Sequence, residues 1–274
     1  MPSDLHMHTS FSDGTLSPEE LVAAAKEVGL SYMAITDHDT IDGVSQLYED
    51  GHYPSRGLRL IPGIEFSAHH PVHDIHILGY NIDIYHRELA DKLTEITESR
   101  WTRFTAMVAK LQGLGYQLKE SEVLAVADTS RAISRSHIAR VLVKKNFFPS
   151  VREAFAVLLE KGKPAYVPHY RPEAAEIVSL IKKAGGLPVL AHPKLVQNED
   201  LVEYLCRDIG IEGLEVFYPQ HDEADVVRYL HLAEKYHLQI TGGSDFHGFT
   251  SRHPTELGVF TIDDSYAEKL YRPL

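Results

Sequence analysis

Short apolar runs alternate with amphipathic stretches along most of the chain. Seven runs have the length and composition of buried strands, at residues 4–8, 32–37, 58–65, 74–80, 187–192, 213–217 and 238–242. A first helix is predicted with Ser17 as N-cap and Pro18 at its first position, and Glu20 completes a capping box before Gly29 ends the helix. Further helices are predicted at 172–184 and 223–236. This alternation is typical of an α/β fold assembled from βα units.

The segment between the fourth and fifth predicted strands has a helical pattern of its own. Phe104, Met107 and Leu111 follow helical spacing, as do Phe155 and Leu159. A connection of about a hundred residues needs structure of its own in a compact protein. We therefore predict that residues 98–168 form an inserted helical subdomain on the substrate side. Residues 1–97 and 169–274 would then form the barrel.

Composition and charge exclude several classes of protein. The chain has 274 residues, 43% of them hydrophobic, and 27 Lys+Arg against 39 Asp+Glu give a formal charge of −12. This balance argues against binding long duplex nucleic acid through a broad basic face. The sequence has no apolar run near the ~20 residues that span a bilayer and no signal-peptide pattern at its start. We expect a cytoplasmic protein, with no membrane association and no obligate protein partner indicated.

Ionisable side chains lie at or near the ends of most predicted strands. His6 and His8 are two residues apart in the first strand, so their imidazoles point to the same face and can bind one metal ion. The others are His38, Glu65, His76, His192, Asp245 and His247, with Asp13 in the loop after the first strand. A barrel brings the carboxyl ends of its strands together. We therefore predict that these side chains form one site.

The predicted ligand set combines imidazole and carboxylate groups and lacks thiolate. Such a set suits zinc, manganese or iron and excludes a structural zinc site of the cysteine type. Because it is too large for one ion, we expect two or three divalent ions that share Glu65 as a bridging ligand. The sequence has no nucleophile elbow, phosphate-binding P-loop or dinucleotide fingerprint. Metal-assisted displacement at phosphorus is the chemistry that this set favours.

Seven motifs occur in a fixed order between residues 4 and 247. They are Asp4-Leu5-His6-Met7-His8, Ser10-Phe11-Ser12-Asp13-Gly14, Ile35-Thr36-Asp37-His38-Asp39, Gly63-Ile64-Glu65, Asp74-Ile75-His76-Ile77-Leu78-Gly79-Tyr80, Ala191-His192-Pro193 and Gly243-Ser244-Asp245-Phe246-His247. Together they resemble the polymerase and histidinol phosphatase (PHP) superfamily of metal-dependent phosphoesterases. The resemblance implies a distorted (β/α)7 TIM-like barrel with a trinuclear metal centre, manganese being the first expectation.

The resemblance also implies how the ligands are shared among three ions. The implied sets are His6, His8, Glu65 and Asp245 for the first ion, Glu65, His76 and His192 for the second, and Asp13, His38 and His247 for the third. Position 13 is Asp where the histidinol phosphatase branch tends to carry His.

Within the superfamily, the insertion and the segment 134–140 resemble the branch that acts on nucleoside 3',5'-bisphosphates and on short oligonucleotides from the 5' end. The implied reaction removes the 3'-phosphate of a bisphosphate such as pAp by in-line attack of a metal-bound hydroxide. The candidate catalytic residues are Asp13, His38, His221 and Asp245. The candidate substrate-binding residues are Arg135, His137, Lys163 and His221, Arg135 as a guanidinium fork for a second phosphate.

Three other interpretations stay open from the sequence alone. The first is a histidinol phosphatase or another small-molecule phosphomonoesterase. The second is amide hydrolysis on a barrel that also uses a His-x-His strand. The third is a PHP barrel that binds without catalysis.

Overall fold

The computed structural model describes residues 2–51, 57–128, 130–248 and 254–272. The strands are β1 Pro2–Asp4, β2 Tyr32–Ile35, β3 Arg59–Ala68, β4 Ile75–Tyr80, β5 Leu187–Leu190, β6 Gly213–Phe217, β7 Gln239–Gly242 and β8 Ile262–Asp263. They form one sheet in the order β7-β6-β5-β4-β3-β2-β1-β8. β8, which the sequence did not predict, is two residues long and pairs antiparallel with β1.

The sheet closes into a barrel between the segments that follow β1 and β7. The amide of Leu5 donates to the carbonyl of Gly242 at 3.3 Å, and the amide of His8 donates to the carbonyl of Phe246 at 2.9 Å. A Cβ atom at Gly243 would lie 2.4 Å from the backbone nitrogen of His6, so this approach requires glycine. The predicted TIM-like α/β barrel is thus confirmed, with β8 added to the seven predicted strands.

Apart from the two-residue β8, one strand runs against the others, which explains the distortion of the barrel. β4 is antiparallel to both β3 and β5, while β1, β2 and β3 are parallel, as are β5, β6 and β7. The connection between β3 and β4 is too short for a crossover helix, so only an antiparallel pairing is possible. As a result His76, near the start of β4, pairs with Ser67 and lies at the same barrel end as Glu65.

The helices agree with the prediction where their capping signals are strong. They are α1 Pro18–Glu27, α2 Asp42–Glu49, α3 Arg87–Gly113, α4 Glu120–Ala127, α5 Arg135–Lys144, α6 Val151–Ala154, α7 Ala174–Lys183, α8 Glu199–Asp208, α9 Glu223–Tyr236 and α10 Asp264–Leu270. The capping box of α1 forms, since the Ser17 hydroxyl accepts from the amide of Glu20 and the Glu20 carboxylate accepts from the amide of Ser17. No helix in the described ranges is both long and apolar enough to cross a membrane.

The segment between β4 and β5 has a hydrophobic core of its own. Its buried residues run from Phe104 to Ala165, and α3, α4, α5 and α6 contribute to it. The long helix α3 belongs to two cores at once: Leu89 and Leu93 pack in the barrel cluster, and Met107 packs in the insertion cluster. One continuous helix therefore connects the barrel with the insertion.

Candidate metal centre

Glu65 lies at the middle of a group of imidazoles at one end of the barrel. Its Oε2 is 3.4 Å from the Nε2 atoms of both His6 and His8, and 3.0 Å from Nδ1 of His38. Its Oε1 is 2.8 Å from Nδ1 of His76 and 3.0 Å from Nε2 of His192. Five histidines from four parts of the chain thus surround one carboxylate.

The predicted ligand residues come together at this end. We call the following set the ligand cluster: His6, His8, Asp13, His38, Glu65, His76, His192, Asp245 and His247. Their donor atoms form three groups within 4.8 Å, which are His6, His8, Glu65 and Asp245; His38, Glu65 and His76; and His8, Asp13, His38 and His247. The first group has the same members as the first set implied by the resemblance. His192 lies outside these groups, with its Nε2 against Glu65.

The ligand cluster fits divalent cations. Several of its buried atoms have no hydrogen-bond partner within the described residues, among them Nε2 of His6, Nε2 of His8, Oδ1 of Asp13 and Oε2 of Glu65. A buried polar atom without a partner is costly, and a cation at the centre would satisfy these lone pairs together. Imidazole and carboxylate donors without thiolate match the needs of manganese, zinc or iron.

The charges inside the cluster support the same interpretation. Burial and the neighbouring His247 lower the pKa of His8 to about 3, so its ring is neutral and its lone pair is available. Burial alone would raise the pKa of Glu65, but His38, His76 and His6 hold it well below its usual range. Metal ions bind ionised carboxylates and neutral imidazoles, so a cation would displace the proton from a ring such as His38, whose pKa Glu65 and Asp13 raise to about 9 against the effect of burial.

Contacts behind the ligands hold them in place. Asp37 accepts hydrogen bonds from the amide of Thr9 at 2.7 Å and from the hydroxyl of Ser12 at 2.5 Å, which fixes the loop that carries Asp13. The Tyr218 hydroxyl donates to Oδ2 of Asp245 at 3.0 Å. Such contacts orient metal ligands and are as much a part of a site as the ligands themselves.

The insertion contacts the ligand cluster through the start of α5. The Ser134 hydroxyl donates to Oδ2 of Asp13 at 3.3 Å. His137 is buried, its Nδ1 accepts from the amide of Ser134 at 3.0 Å, and its ring also hydrogen-bonds the backbone of Ser12. His137 thus connects the Asp13 loop to the insertion.

The other predicted substrate residues lie in different environments. Arg135 stacks on Phe155 and Tyr166, with its guanidinium carbon 5.4 and 5.9 Å from the ring centroids. His221 has Nδ1 2.7 Å from the carbonyl of Val216 and a buried Nε2. Lys163 is exposed in the turn after the helical segment that ends at Leu159.

Three arginines that the sequence interpretation did not single out lie near Arg135. We call Arg100, Arg103, Arg135 and Arg171 the arginine cluster, because each lowers the pKa of His169 or of another member through its positive charge. Arg100 and Arg103 come from α3, in positions where the helical period places apolar residues. That mismatch is the signal by which the sequence could have revealed them.

Two members of the arginine cluster are paired with carboxylates. Nε of Arg100 donates to Asp39 at 2.9 Å, and Asp39 follows His38 in the sequence. Nη1 of Arg171 lies 2.8 Å from Oδ1 of Asp74, which is two residues before His76. The arginine cluster therefore borders the ligand cluster.

The other two members lack a carboxylate partner. In the described ranges, Arg103 and Arg135 form no salt bridge; Arg103 contacts Nδ1 of His169 at 2.7 Å, and Arg135 donates to the carbonyl of Leu159 at 3.3 Å. Burial and the neighbouring guanidinium groups lower the pKa of Arg103 well below its usual range.

The fold and the site together define a metal-dependent hydrolase built on an α/β barrel. The chain belongs to the PHP domain family, which it matches over residues 4–243. Family membership and the relatives described next make it a hydrolase of phosphoester bonds.

Three bacterial relatives cover most of the chain. The 5'-3' exoribonuclease Rnm of Escherichia coli is 35% identical over 89% of this chain and 84% of its own length. The 3',5'-nucleoside bisphosphate phosphatase of Chromobacterium violaceum is 34% identical over 89% of this chain and 86% of its own. A phosphoribosyl 1,2-cyclic phosphate 1,2-diphosphodiesterase of Eggerthella lenta is 31% identical over 93% and 97%.

A solved structure supports the same fold. A protein of Bifidobacterium adolescentis that is described as a metal-dependent phosphoesterase superimposes with a TM-score of 0.87. It is 30% identical to this chain, and the match covers 98% of this chain and 94% of that protein. The insertion is therefore part of a shared architecture.

Proposed function

We propose that this chain removes the 3'-phosphate from nucleoside 3',5'-bisphosphates and releases nucleotides from the 5' end of short RNA. The observation that carries the proposal is the arginine cluster beside the ligand cluster. A substrate with two phosphates could place one in each cluster. The activities of the Escherichia coli and Chromobacterium violaceum relatives, as their names state them, support this choice.

The charge of the arginine cluster matches a phosphate monoester. Four guanidinium groups share two carboxylates, because Asp39 pairs with Arg100, and Asp74 pairs with Arg171 and also attracts Arg135. The arginine cluster therefore keeps a net positive charge within the described part of the chain. A phosphate monoester carries about −1.5 to −2 at pH 7, as phosphorylated side chains do, and it can accept several charge-assisted hydrogen bonds. Arg103 is buried and Arg135 is half-buried, so both gain from such an anion because they are partly removed from water.

We propose that the ligand cluster holds two or three divalent ions, manganese being our first choice. Such ions supply an activated water near neutral pH and offset the charge that develops on the phosphoryl oxygens. Glu65 would serve as the shared carboxylate, His6, His8 and Asp245 would complete one set of ligands, and Asp13 with His38 and His247 would complete another. His76 and His192 complete the cluster on the opposite oxygen of Glu65.

We assign His221 a hydrogen bond to the substrate. Its Nδ1–H donates to the Val216 carbonyl, so the buried Nε2 carries a lone pair, and burial lowers the pKa of the ring. A neutral ring in this tautomer can accept a hydrogen bond at Nε2 from a hydroxyl of the substrate. We therefore propose that His221 accepts this hydrogen bond and does not donate a proton to the leaving oxygen.

We also propose that residues 98–168 form the substrate-side cap. The cap would contribute Arg103 and Arg135 to the second phosphate and keep Lys163 at its exposed edge. The buried contacts of Ser134 and His137 with the Asp13 loop support this arrangement.

The direct test is phosphate release by manganese-reconstituted protein from several substrates in parallel. These are 3',5'-bisphosphoadenosine, 3'-AMP, 5'-AMP, histidinol phosphate and a short 5'-phosphorylated RNA, with nucleotide release also followed for the RNA. We expect kcat/KM for the bisphosphate to exceed that for 3'-AMP, which keeps the 3'-phosphate but lacks the second one, by about 100-fold, since binding a second phosphate contributes about 2 to 3 kcal/mol. Equal values for all monoesters would contradict the proposal.

Phosphoribosyl 1,2-cyclic phosphate is the substrate of the second candidate function. The Eggerthella lenta relative covers nearly the whole chain, so the assay includes this cyclic diester. A preference for it over the bisphosphate would favour the second function.

A further inference from the structure

Glu215 is a buried carboxylate that belongs to none of the ligand groups. It lies on β6, where the pairing with β7 shifts register between Glu215 and Phe217, and its side chain is 0% exposed. An acidic residue within the apolar run Gly213–Phe217 is unusual, because burying a carboxylate is costly unless its oxygens find donors. The burial of Glu215 therefore indicates that this carboxylate has a specific role.

Each oxygen of Glu215 contacts a different member of the ligand cluster. Oε1 lies 2.8 Å from Nδ1 of His6, and Oε2 accepts a hydrogen bond from the backbone amide of His192 at 2.7 Å. His6 and His192 follow different strands and approach different oxygens of Glu65. One buried side chain thus connects two ligands that the barrel brings from distant parts of the sequence.

The contact with His6 determines which ring nitrogen faces Glu65. A carboxylate only accepts hydrogen bonds, so Nδ1 of His6 must carry the proton that it shares with Glu215. Its Nε2, which has no hydrogen-bond partner within the described residues, lies 3.4 Å from Oε2 of Glu65 and 3.5 Å from Oδ1 of Asp245. A carboxylate behind the ring also increases the basicity of a ligating imidazole.

The contact with His192 supports a strained backbone. His192 has φ 26° and ψ 63°, an unfavourable conformation for a residue with a Cβ atom. Its amide is buried, and the oxygen of Glu215 is the acceptor that satisfies it. Without that acceptor the chain could relax, and the imidazole of His192 would move away from Glu65.

We propose that Glu215 is a positioning residue of the ligand cluster, which fixes the ring of His6 with one oxygen and the backbone of His192 with the other. The inference rests on the proposed use of the ligand cluster for divalent ions and is independent of the choice of substrate. Glu215 does not contact the substrate in this proposal. It orients His6 and His192, two of the residues that would bind the metal.

The test compares Glu215→Gln with Glu212→Gln. Gln at position 215 keeps the size of the side chain but has only one acceptor atom, so it cannot satisfy both donors. Glu212 precedes the same strand, is exposed and pairs with Lys182 at 2.7 Å, so its replacement removes one negative charge without touching the cluster. Melting temperatures of the metal-free proteins report whether each variant is folded.

Zinc affinity, measured by competition with a chelator and without substrate, is the main result. We expect Glu215→Gln to bind zinc about 10- to 100-fold more weakly than the wild type, as for other residues that orient metal ligands, and Glu212→Gln to bind normally. Equal affinity in Glu215→Gln and the wild type, or the same loss in both variants, would overturn the proposal. Because no substrate is present, a wrong assignment of substrate leaves this result unchanged.

A second measurement decides the question if Glu215→Gln does not fold. In a crystal structure of the zinc-loaded wild type we expect Oε1 of Glu215 within hydrogen-bond distance of Nδ1 of His6, with Nε2 of His6 bound to zinc. Zinc bound through Nδ1, or a ring turned away from Glu215, would overturn the proposal.

Discussion

The ligand cluster and the arginine cluster adjoin each other, but they differ in charge and in origin. The ligand cluster is built from strands of the barrel and the loops that follow them, and it gathers imidazoles around Glu65. The arginine cluster takes two residues from α3 and one from α5, and its charge is only partly offset by Asp39 and Asp74. The difference supports the proposed division, in which the barrel supplies the reaction chemistry and the insertion selects the substrate. The predictions below test whether the two clusters have these separate functions.

The largest effect is expected from His8→Ala. His8 is fully buried and belongs to two of the three donor groups, so its loss should lower kcat/KM at least about 1,000-fold for every substrate. Phosphate release measures the effect, and an unchanged circular dichroism spectrum shows that the fold is retained. If activity persists, His8 does not belong to the catalytic site.

A pH effect on stability is expected at the junction of the two clusters. Burial lowers the pKa of His137 to about 4 from its ordinary 6.5, so the unfolded chain binds this proton more readily than the folded chain does. His137 should therefore contribute a loss of stability as pH decreases from about 6.5 towards 4, amounting to about 2 kcal/mol between pH 7 and pH 5.

Urea unfolding of the metal-free protein at both pH values measures this loss. Gln can replace both hydrogen bonds of His137 and does not titrate, so His137→Gln should lose about 2 kcal/mol less than the wild type over the same interval. Equal losses in the two proteins would mean that His137 is not the group responsible.

Arg135→Ala should change substrate preference. We expect KM for the bisphosphate to rise about 30-fold, since a charge-assisted hydrogen bond contributes about 2 kcal/mol, while KM for 3'-AMP changes little. Arg131→Ala is the control, because Arg131 is 78% exposed and only approaches Asp42 at 3.9 Å. An equal rise for both substrates would show that the arginine cluster does not select for a second phosphate.

The smallest effect is expected from Ser134→Ala. This change removes the hydrogen bond to Asp13 and the N-cap of α5, so kcat/KM should fall about threefold for the bisphosphate and for 3'-AMP alike. Steady-state kinetics measure the change, and Ser134→Thr, which keeps a hydroxyl, should restore most of the activity. A selective effect on the bisphosphate would place Ser134 with the arginine cluster instead.

The barrel was predictable because its signals are local. The capping box at Ser17 and the apolar strands could be read from neighbouring residues, and the strands that end in His or Asp indicated the chemistry. The reversal of β4 was missed, although the short connection before it excludes a parallel pairing. β8 is only 2 residues long, which is too short to show the alternation of apolar and polar residues that predicts a strand.

The residues that support the site were harder to predict because their partners are distant in sequence. Arg100 pairs with Asp39 across 61 positions, and Glu215 contacts His6 across 209. No spacing rule connects such residues. What the sequence does contain is a charged residue within an otherwise apolar pattern, as at Arg103 and Glu215, and such positions are worth treating as candidates for a site.

The length of α3 has a consequence for how the protein unfolds. Because the same helix packs Leu89 into the barrel core and Met107 into the core of the insertion, neither core can lose its packing without weakening the other. Calorimetry should therefore record a single cooperative transition, with the insertion and the barrel melting together.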